Sequence, residues 1–326
     1  MTTPQYSIER HLSRESRAAA LCRDARAGLT ATPKWLPPTW FYDANGSALF
    51  DKITELPEYY PTRAERAILH TAAAQIAAAS GAHTLVELGS GSSDKTRLLL
   101  DALRDAGALR RYVPVDVSET ALHDASQRLL AAYPALTVRV VLADFGQYLG
   151  LPPRDTGRRL IAFLGSTIGN MAPPQRARFL ARLRASLREG DTLLLGTDLV
   201  KDAGLLVAAY DDSAGVTAAF NKNVLAVLNA ELGARFDPDT FDHVALWDAR
   251  REQIEMRLRS AWAQTIELPT LGLSITFGDG EELRTEVSAK FRRDGVEAEL
   301  TAAGFALQSW WTDPDGLYGM SLSVPA

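Results

Sequence analysis

The sequence predicts an α/β fold with a mostly parallel sheet that is discontinuous along the chain, and a second α+β domain. Three observations carry this prediction. Short apolar runs end in glycine or aspartate, helical stretches separate them, and the alternation stops after Asp198. A chain of 326 residues has room for two domains. In order, residues 15–28 read as a helix. The stretch TATPKWLPPTWFYDANGSALF is too aromatic for a solvated linker and reads as an ordered, packed segment. Residues 63–80 form a helix, and HTLVELGS is a buried parallel strand. KTRLLLDALRDAG, ETALHDASQRLLAAYP and PPQRARFLARLRASLREG are helices, interleaved with the strands RRYVPVDVS, LTVRVVLADF, RRLIAFLGS and DTLLLGTDL. Residues 201–265 read as mostly helical, and 265–277 and 282–291 as strands of a different sheet. A final helix and strand pair would complete a seven-stranded sheet. The expected domains are therefore 63–200 with 290–326, and 1–62 with 201–289.

Composition narrows the function. Apolar residues make up 46% and charged residues 23%, as in ordinary globular proteins. With 35 Lys and Arg against 40 Asp and Glu, the net charge is −5, which argues against nucleic acid and anionic membrane as partners. No apolar run approaches the ~20 residues of a membrane span. MTTPQYSIERHLSRES lacks the apolar core of a signal peptide, so a cytoplasmic protein is expected. A monomer is expected. The lone Cys22 forms no intrachain disulfide, the five His residues have no metal-ligand spacing, and no metal site is expected.

The turn VELGSGSSDKT is the strongest local signal. Gly89 and Gly91, with Ser90 between them, stand where a strand ends and a helix begins. Glycine there permits a sharp turn and close approach to a ligand, and Ser92 or Ser93 could cap the helix. A dinucleotide fingerprint wants Gly or Ala three residues after Gly91, where this chain has Asp94; a charge there disfavours a pyrophosphate. Glu87, Asp94 and Asp116 make the region acidic, which suits S-adenosylmethionine with its sulfonium cation. Asp116 ends the next strand and could accept ribose hydroxyls. Asp144 ends the one after and could accept the adenine amino hydrogens, with Phe145 packing near the ring. The plainer reading is turn-forming glycine and helix-capping aspartate.

These residues, with LTATPKWLPPTWFYDANGSALFDKITELPEYYPTRAE, FLGSTIGN, LLLGTDLVKD, AYDDSAGVTAAFNKNVLAV, TEVSAKF and WWTDP, give the chain a resemblance to a known family. It resembles the L-histidine Nα-methyltransferases of ergothioneine biosynthesis, and the matches spread over nearly the whole chain. The resemblance implies a Rossmann-like, seven-stranded class I methyltransferase core and a second domain that closes over the amino acid. It implies three methylations of the histidine α-amino group, giving hercynine and S-adenosylhomocysteine. On the donor side it implies Gly89, Ser90, Gly91, Lys95, Asp116, Asp144 and Phe145. On the amino-acid side it implies Tyr59, Asn170, Tyr210, Glu286, Val287 and Ser288, with Met256 and Phe50 lining the imidazole pocket. Tyr42 would lie near the amine, with Gly165 and Thr167 of FLGST.

Physical roles follow from the residue types. Methyl transfer needs alignment more than a covalent catalyst, which is why no catalytic His or Cys stands out. Asn170 and Tyr210 can hold a substrate carboxylate. Glu286 and Ser288, two apart on a strand, share a face and can take an imidazole N–H. Lys95, expected in a first helical turn where a cation is unfavourable, calls for a partner such as the donor carboxylate. Two other readings stand beside this one: a methyltransferase for another amino acid such as tryptophan, and a non-catalytic donor-binding protein.

Overall fold

A computed structural model of the protein describes residues 5–91, 93, 95–152 and 157–326. The chain divides into two compact units. One comprises the segment up to Leu12, Pro61–Val200 and Lys290–Ala326; the other comprises Ser13–Tyr60 and Lys201–Ala289.

Among the described residues the first unit holds an eight-stranded sheet. Its order is Tyr6–Arg10, Thr137–Leu142, Arg111–Asp116, Thr84–Leu88, Arg159–Phe163, Thr192–Asp198, Tyr318–Pro325 and Phe305–Thr312. The first six run parallel, and the last two are antiparallel to their neighbours. The seven expected strands are present, and Tyr6–Arg10 adds an eighth at the edge. Sequence analysis did not pick it out, because Tyr6 and Ile8 are its two apolar side chains and none of the five is fully buried. That strand draws the segment before Leu12 into the sheet unit, not into the second domain where 1–62 had been expected. Thr84–Leu88 is entirely buried and has a parallel neighbour on each side. The loops after adjacent strands diverge at such a point, leaving a crevice at the carboxyl ends. The chain leaves this unit after Leu12 and again after Val200, and the second exit lies beside its return at Lys290. Val200 N–H donates to the Phe291 carbonyl at 2.9 Å, and buried Lys290 pairs with buried Asp198 at 2.8 Å.

The second unit holds a four-stranded sheet in the order Lys34–Trp35, Glu282–Ala289, Gln253–Ser260 and Phe241–Asp248. A hairpin of Gln264–Leu268 and Leu273–Phe277 and the helices Arg14–Leu29, Ala44–Glu55 and Val216–Leu232 complete its main elements. The expectation that 201–265 is mostly helical fails after Leu232. Ile254, Met256 and Leu258 alternate with Glu255, Arg257 and Arg259, a period of two that belongs to a strand. Glu282–Ala289 carries a bulge: Arg284 faces Arg257 and Glu286 faces Met256, so Thr285 is one residue too many for the partner strand. Without it, alternation would put Glu286 on the face of Arg284. With it, Glu286 shares the face of Met256, and Thr285 is fully buried.

Candidate active site

In the first unit the glycine turn is built by the main chain. Gly89 N–H and Ser90 N–H both donate to the Val115 carbonyl, at 2.8 and 3.3 Å. Gly89 and Gly91 have φ of +70° and +49°, which a side chain tolerates poorly. Gly91 N–H donates to Asp116 Oδ2 at 3.0 Å, and Ser118 N–H to Oδ1 at 2.9 Å. Burial pushes the Asp116 carboxyl above its ordinary value, while these amides pull it down. Asp144 accepts from Gly146 N–H at 2.7 Å and Gln147 Nε2 at 3.0 Å. The Phe145 ring stands edge-on to Phe163 with centroids 5.2 Å apart, and a Cβ on Gly89 would lie 3.5 Å from it. Arg182 fixes this turn by donating to the carbonyls of Phe145 and Gly146 at 2.6 and 2.5 Å.

These residues fit S-adenosylmethionine. Among the described residues a Cβ on Gly91 would meet nothing within 4 Å. Buried Ser90 Oγ has no hydrogen-bond partner among the described residues. The carboxylates around the turn suit a sulfonium cation, and the cation of the set, Lys95, suits the carboxylate on the same ligand.

Two expectations are corrected here. Ser93 does not cap the helix Thr96–Asp105, because its hydroxyl pairs with Tyr112 Oη at 2.9 Å; Ser92 and Asp94 lie outside the described residues. Lys95 precedes that helix as its N-cap and is not in its first turn. Its Nζ lies 2.5 Å from Glu65 Oε2, a partner within the chain that sequence reasoning missed. Gly165 and Thr167 follow Arg159–Phe163, and Thr167 Oγ1 donates to the Leu164 carbonyl at 3.0 Å. Asn170 closes the short 3-10 turn Thr167–Asn170. Ser166, at φ 55°, ties that turn to Asp198, whose N–H donates to its Oγ at 2.9 Å. Beneath the glycine turn, fully buried Glu87 accepts from Thr96 Oγ1 at 2.7 Å and Tyr112 Oη at 2.5 Å. Burial outweighs these bonds and pushes its carboxyl up to about 7.

The second unit gathers the aromatic candidates. Phe50 stands edge-on to Tyr42 at 5.7 Å and to Tyr59 at 6.1 Å, and Tyr59 meets Tyr210 at 6.4 Å. Phe220, which the sequence did not single out, packs against Tyr42 at 5.6 Å and Phe50 at 5.8 Å. Tyr210 Oη and Ser288 Oγ are hydrogen-bonded at 2.8 Å. Met256 and Glu286 are direct cross-strand neighbours, and Ser288 faces Ile254 on the same side. Val287 points to the opposite face, across from Glu255, so its main chain is what it offers to the Glu286 side.

A side-chain chain ties this set together. Asn221 Nδ2 donates to the Arg257 carbonyl at 3.0 Å, which fixes the orientation of its amide. The same amide nitrogen then donates to His243 Nδ1 at 2.8 Å, leaving Nε2–H to donate to the Tyr210 carbonyl at 2.8 Å. Thr285 Oγ1 reaches Asn221 Oδ1 at 2.6 Å and the Met256 carbonyl at 3.0 Å. Burial pushes the His243 imidazole below its ordinary value, which keeps it in this neutral form. The available signal was Asn221 and Asn223, two of three asparagines on a largely apolar helix.

Among the described residues no cluster of His, Cys, Asp or Glu could hold a metal ion, and no helix is long and apolar enough to cross a membrane. Comparison with known proteins gives a consistent result. The model of the family described as "Histidine-specific methyltransferase, SAM-dependent" matches residues 21–325. The chain is 58% identical to the histidine N-alpha-methyltransferase of Mycolicibacterium smegmatis, over 98% of this chain and 99% of that one. It is 54% identical to the protein of the same name from Mycobacterium tuberculosis, again over 98% and 99%. Ergothioneine biosynthesis protein 1 of Schizosaccharomyces pombe is 34% identical over 65% of this chain and 29% of its own length.

Proposed function

We infer that this chain, which belongs to the family of histidine-specific S-adenosylmethionine-dependent methyltransferases, methylates the α-amino nitrogen of L-histidine. The observation that carries this reading is its near-full-length identity to two histidine N-alpha-methyltransferases. S-adenosylmethionine supplies a methyl group on a sulfonium, whose sulfur leaves as the neutral thioether of S-adenosylhomocysteine. In this reading the Gly89–Ser90–Gly91 turn binds the donor, Asp116 accepts its ribose hydroxyls, and Asp144 accepts the adenine amino hydrogens beside Phe145. Lys95 holds the donor carboxylate.

The amino acid brings a carboxylate, an amine and an imidazole. Asn170 and Tyr210 hold the carboxylate. Glu286 accepts the imidazole N–H with Ser288 in support, Tyr59 bonds the other ring nitrogen, and Met256 and Phe50 line the ring. The bulge at Thr285 and the Tyr210–Ser288 bond support these roles, because they bring a carboxylate, a hydroxyl pair and an apolar side chain onto one face. Tyr42, the main chain of Val287, and Gly165 with Thr167 complete the set. The amine must lose its proton to attack; the reference α-amino pKa in peptides is ~8, so at neutral pH most of it is protonated and some loss of the proton is needed. Repetition on the same nitrogen gives hercynine, as a step of ergothioneine biosynthesis. The enzyme acts as a cytoplasmic monomer on the free amino acid.

The test is mass spectrometry of the purified protein with S-adenosylmethionine and the twenty amino acids together. Histidine carrying three added methyl groups, with the rest unchanged, is the expected result. Methylation of a different amino acid would overturn the roles of Glu286, Ser288 and Tyr59. Donor binding with no product at all would overturn the catalytic reading.

A further inference from the structure

Glu65 sits on the helix Tyr60–Ser80 and is 1% exposed. A carboxylate removed from water costs several kcal/mol unless it is well partnered, so its surroundings carry information. Its Oε2 lies 2.5 Å from Lys95 Nζ. Its Oε1 accepts from Gly165 N–H at 2.8 Å and from Tyr318 Oη at 2.8 Å. The sheet leaves room for this convergence. A Cβ on Gly196 would stand 2.4 Å from Glu65 Oε1 and 2.8 Å from Tyr318 Oη. Gly165 is at φ +73°, and a Cβ there would lie 3.4 Å from Lys95 Nζ. One buried carboxylate thus joins Lys95 and Gly165, two positions to which the reading above gives binding roles.

We propose that Glu65 is a positioning residue for the donor: it acts through Lys95, fixing the ammonium against the Gly165 turn. Glu65 itself is sealed off, whereas the Lys95 side chain is 23% exposed and keeps two further N–H donors. Two effects follow. A flexible lysine is fixed in advance, so less rotamer freedom is lost when a ligand carboxylate arrives. The ammonium is also neutralised from behind, which lowers its repulsion of a sulfonium on the same ligand.

The inference rests on the assignment of Lys95 to the donor carboxylate, and the experiment separates the two. S-adenosylmethionine Kd is measured by calorimetry for wild type, Glu65→Gln, Lys95→Met and the double variant, with KM for histidine alongside. In Glu65→Gln the amide oxygen can still accept from Gly165 and Tyr318, but the amide NH2 faces the Lys95 ammonium. Loss of one charge-assisted contact predicts a Kd rise of about tenfold, with KM for histidine within about twofold. In the Lys95→Met background the Glu65 change should add less than about twofold, because two residues acting through one contact are not additive. Glu65→Asp keeps the charge and should restore part of the affinity, and it also serves if the glutamine variant does not fold. Unchanged donor binding in Lys95→Met overturns the Lys95 assignment and the proposal with it. A weakened Lys95→Met with an unchanged Glu65→Gln, or with additive effects, overturns the proposal alone.

Discussion

In the first unit Asp116 is reached by the main-chain N–H groups of Gly91 and Ser118, residues of neighbouring turns. In the second, Tyr210, Met256 and the strand bearing Glu286 are joined by the side chains of His243, Asn221 and Thr285, drawn from a helix and two strands. The first arrangement depends on backbone conformation at a few sequence-local positions. The second depends on every polar group in a buried chain finding its partner, and such a chain is strong when complete and costly when broken. Substitutions should therefore affect donor and histidine separately, and the manner of failure should differ.

The largest separation is expected at Glu286. Glu286→Ala should lower kcat/KM for histidine by about 1000-fold, since a site built to bond a ring N–H loses its acceptor. Donor Kd should stay as in wild type and tryptophan should suffer less; equal loss on both amino acids would remove the selectivity role. Next is Glu87, which sharpens the comparison by making the donor side sensitive to pH. Its carboxyl is raised from 4.5 to about 7 in the folded protein, so the folded state holds the proton more tightly than the unfolded chain. Its contribution is fully present below pH 4.5 and is lost as the pH rises through about 7, a change of about 3 kcal/mol. Chemical denaturation across pH 5–8 should show that slope in wild type, and Glu87→Gln should flatten it.

Asp116→Asn places an NH2 against one of two N–H groups. It should raise donor Kd by roughly 30-fold, about 2 kcal/mol, and leave KM for histidine nearly unchanged. The smallest effect is expected from Thr285→Val, which keeps the shape and removes the hydroxyl. KM for histidine should rise about fivefold, roughly 1 kcal/mol, without movement of donor Kd. A shift in donor Kd instead would break the division between the two sets.

The parts legible in the sequence were those whose signal is local. Gly89, Gly91, Asp116 and Asp144 each close a strand, and a strand end is visible without knowing what lies across the fold. Glu65 was also legible in principle: it falls on the buried stripe of Ala64, Ile68, Leu69 and Ala72, where a charge requires a partner. What no local pattern could supply was the partner's identity, because Lys95, Gly165 and Tyr318 reach it from three other segments. The bulge was hidden for a different reason. RTEVS reads as simple alternation, and an extra residue shows itself only when the partner strand is laid beside it. That alternation places Glu286 and Ser288 on one face but conceals why that face is the one shared with Met256. Tyr6–Arg10 left only a faint trace, Tyr6 and Ile8 at strand spacing, because a half-buried edge strand needs little more.

The sheet order also has a consequence in time. Thr197 bonds across to Gly319, 122 residues further along the chain. At a synthesis rate of ~10 residues per second, Thr192–Asp198 exists for on the order of ten seconds before its antiparallel neighbour has been made. During that interval a strand that the finished fold buries completely presents an unpaired edge, the surface most prone to capture by another nascent chain. Expression should therefore suffer more from slow translation between residues 200 and 318 than from equal slowing earlier, and a chaperone that shields strand edges should relieve it.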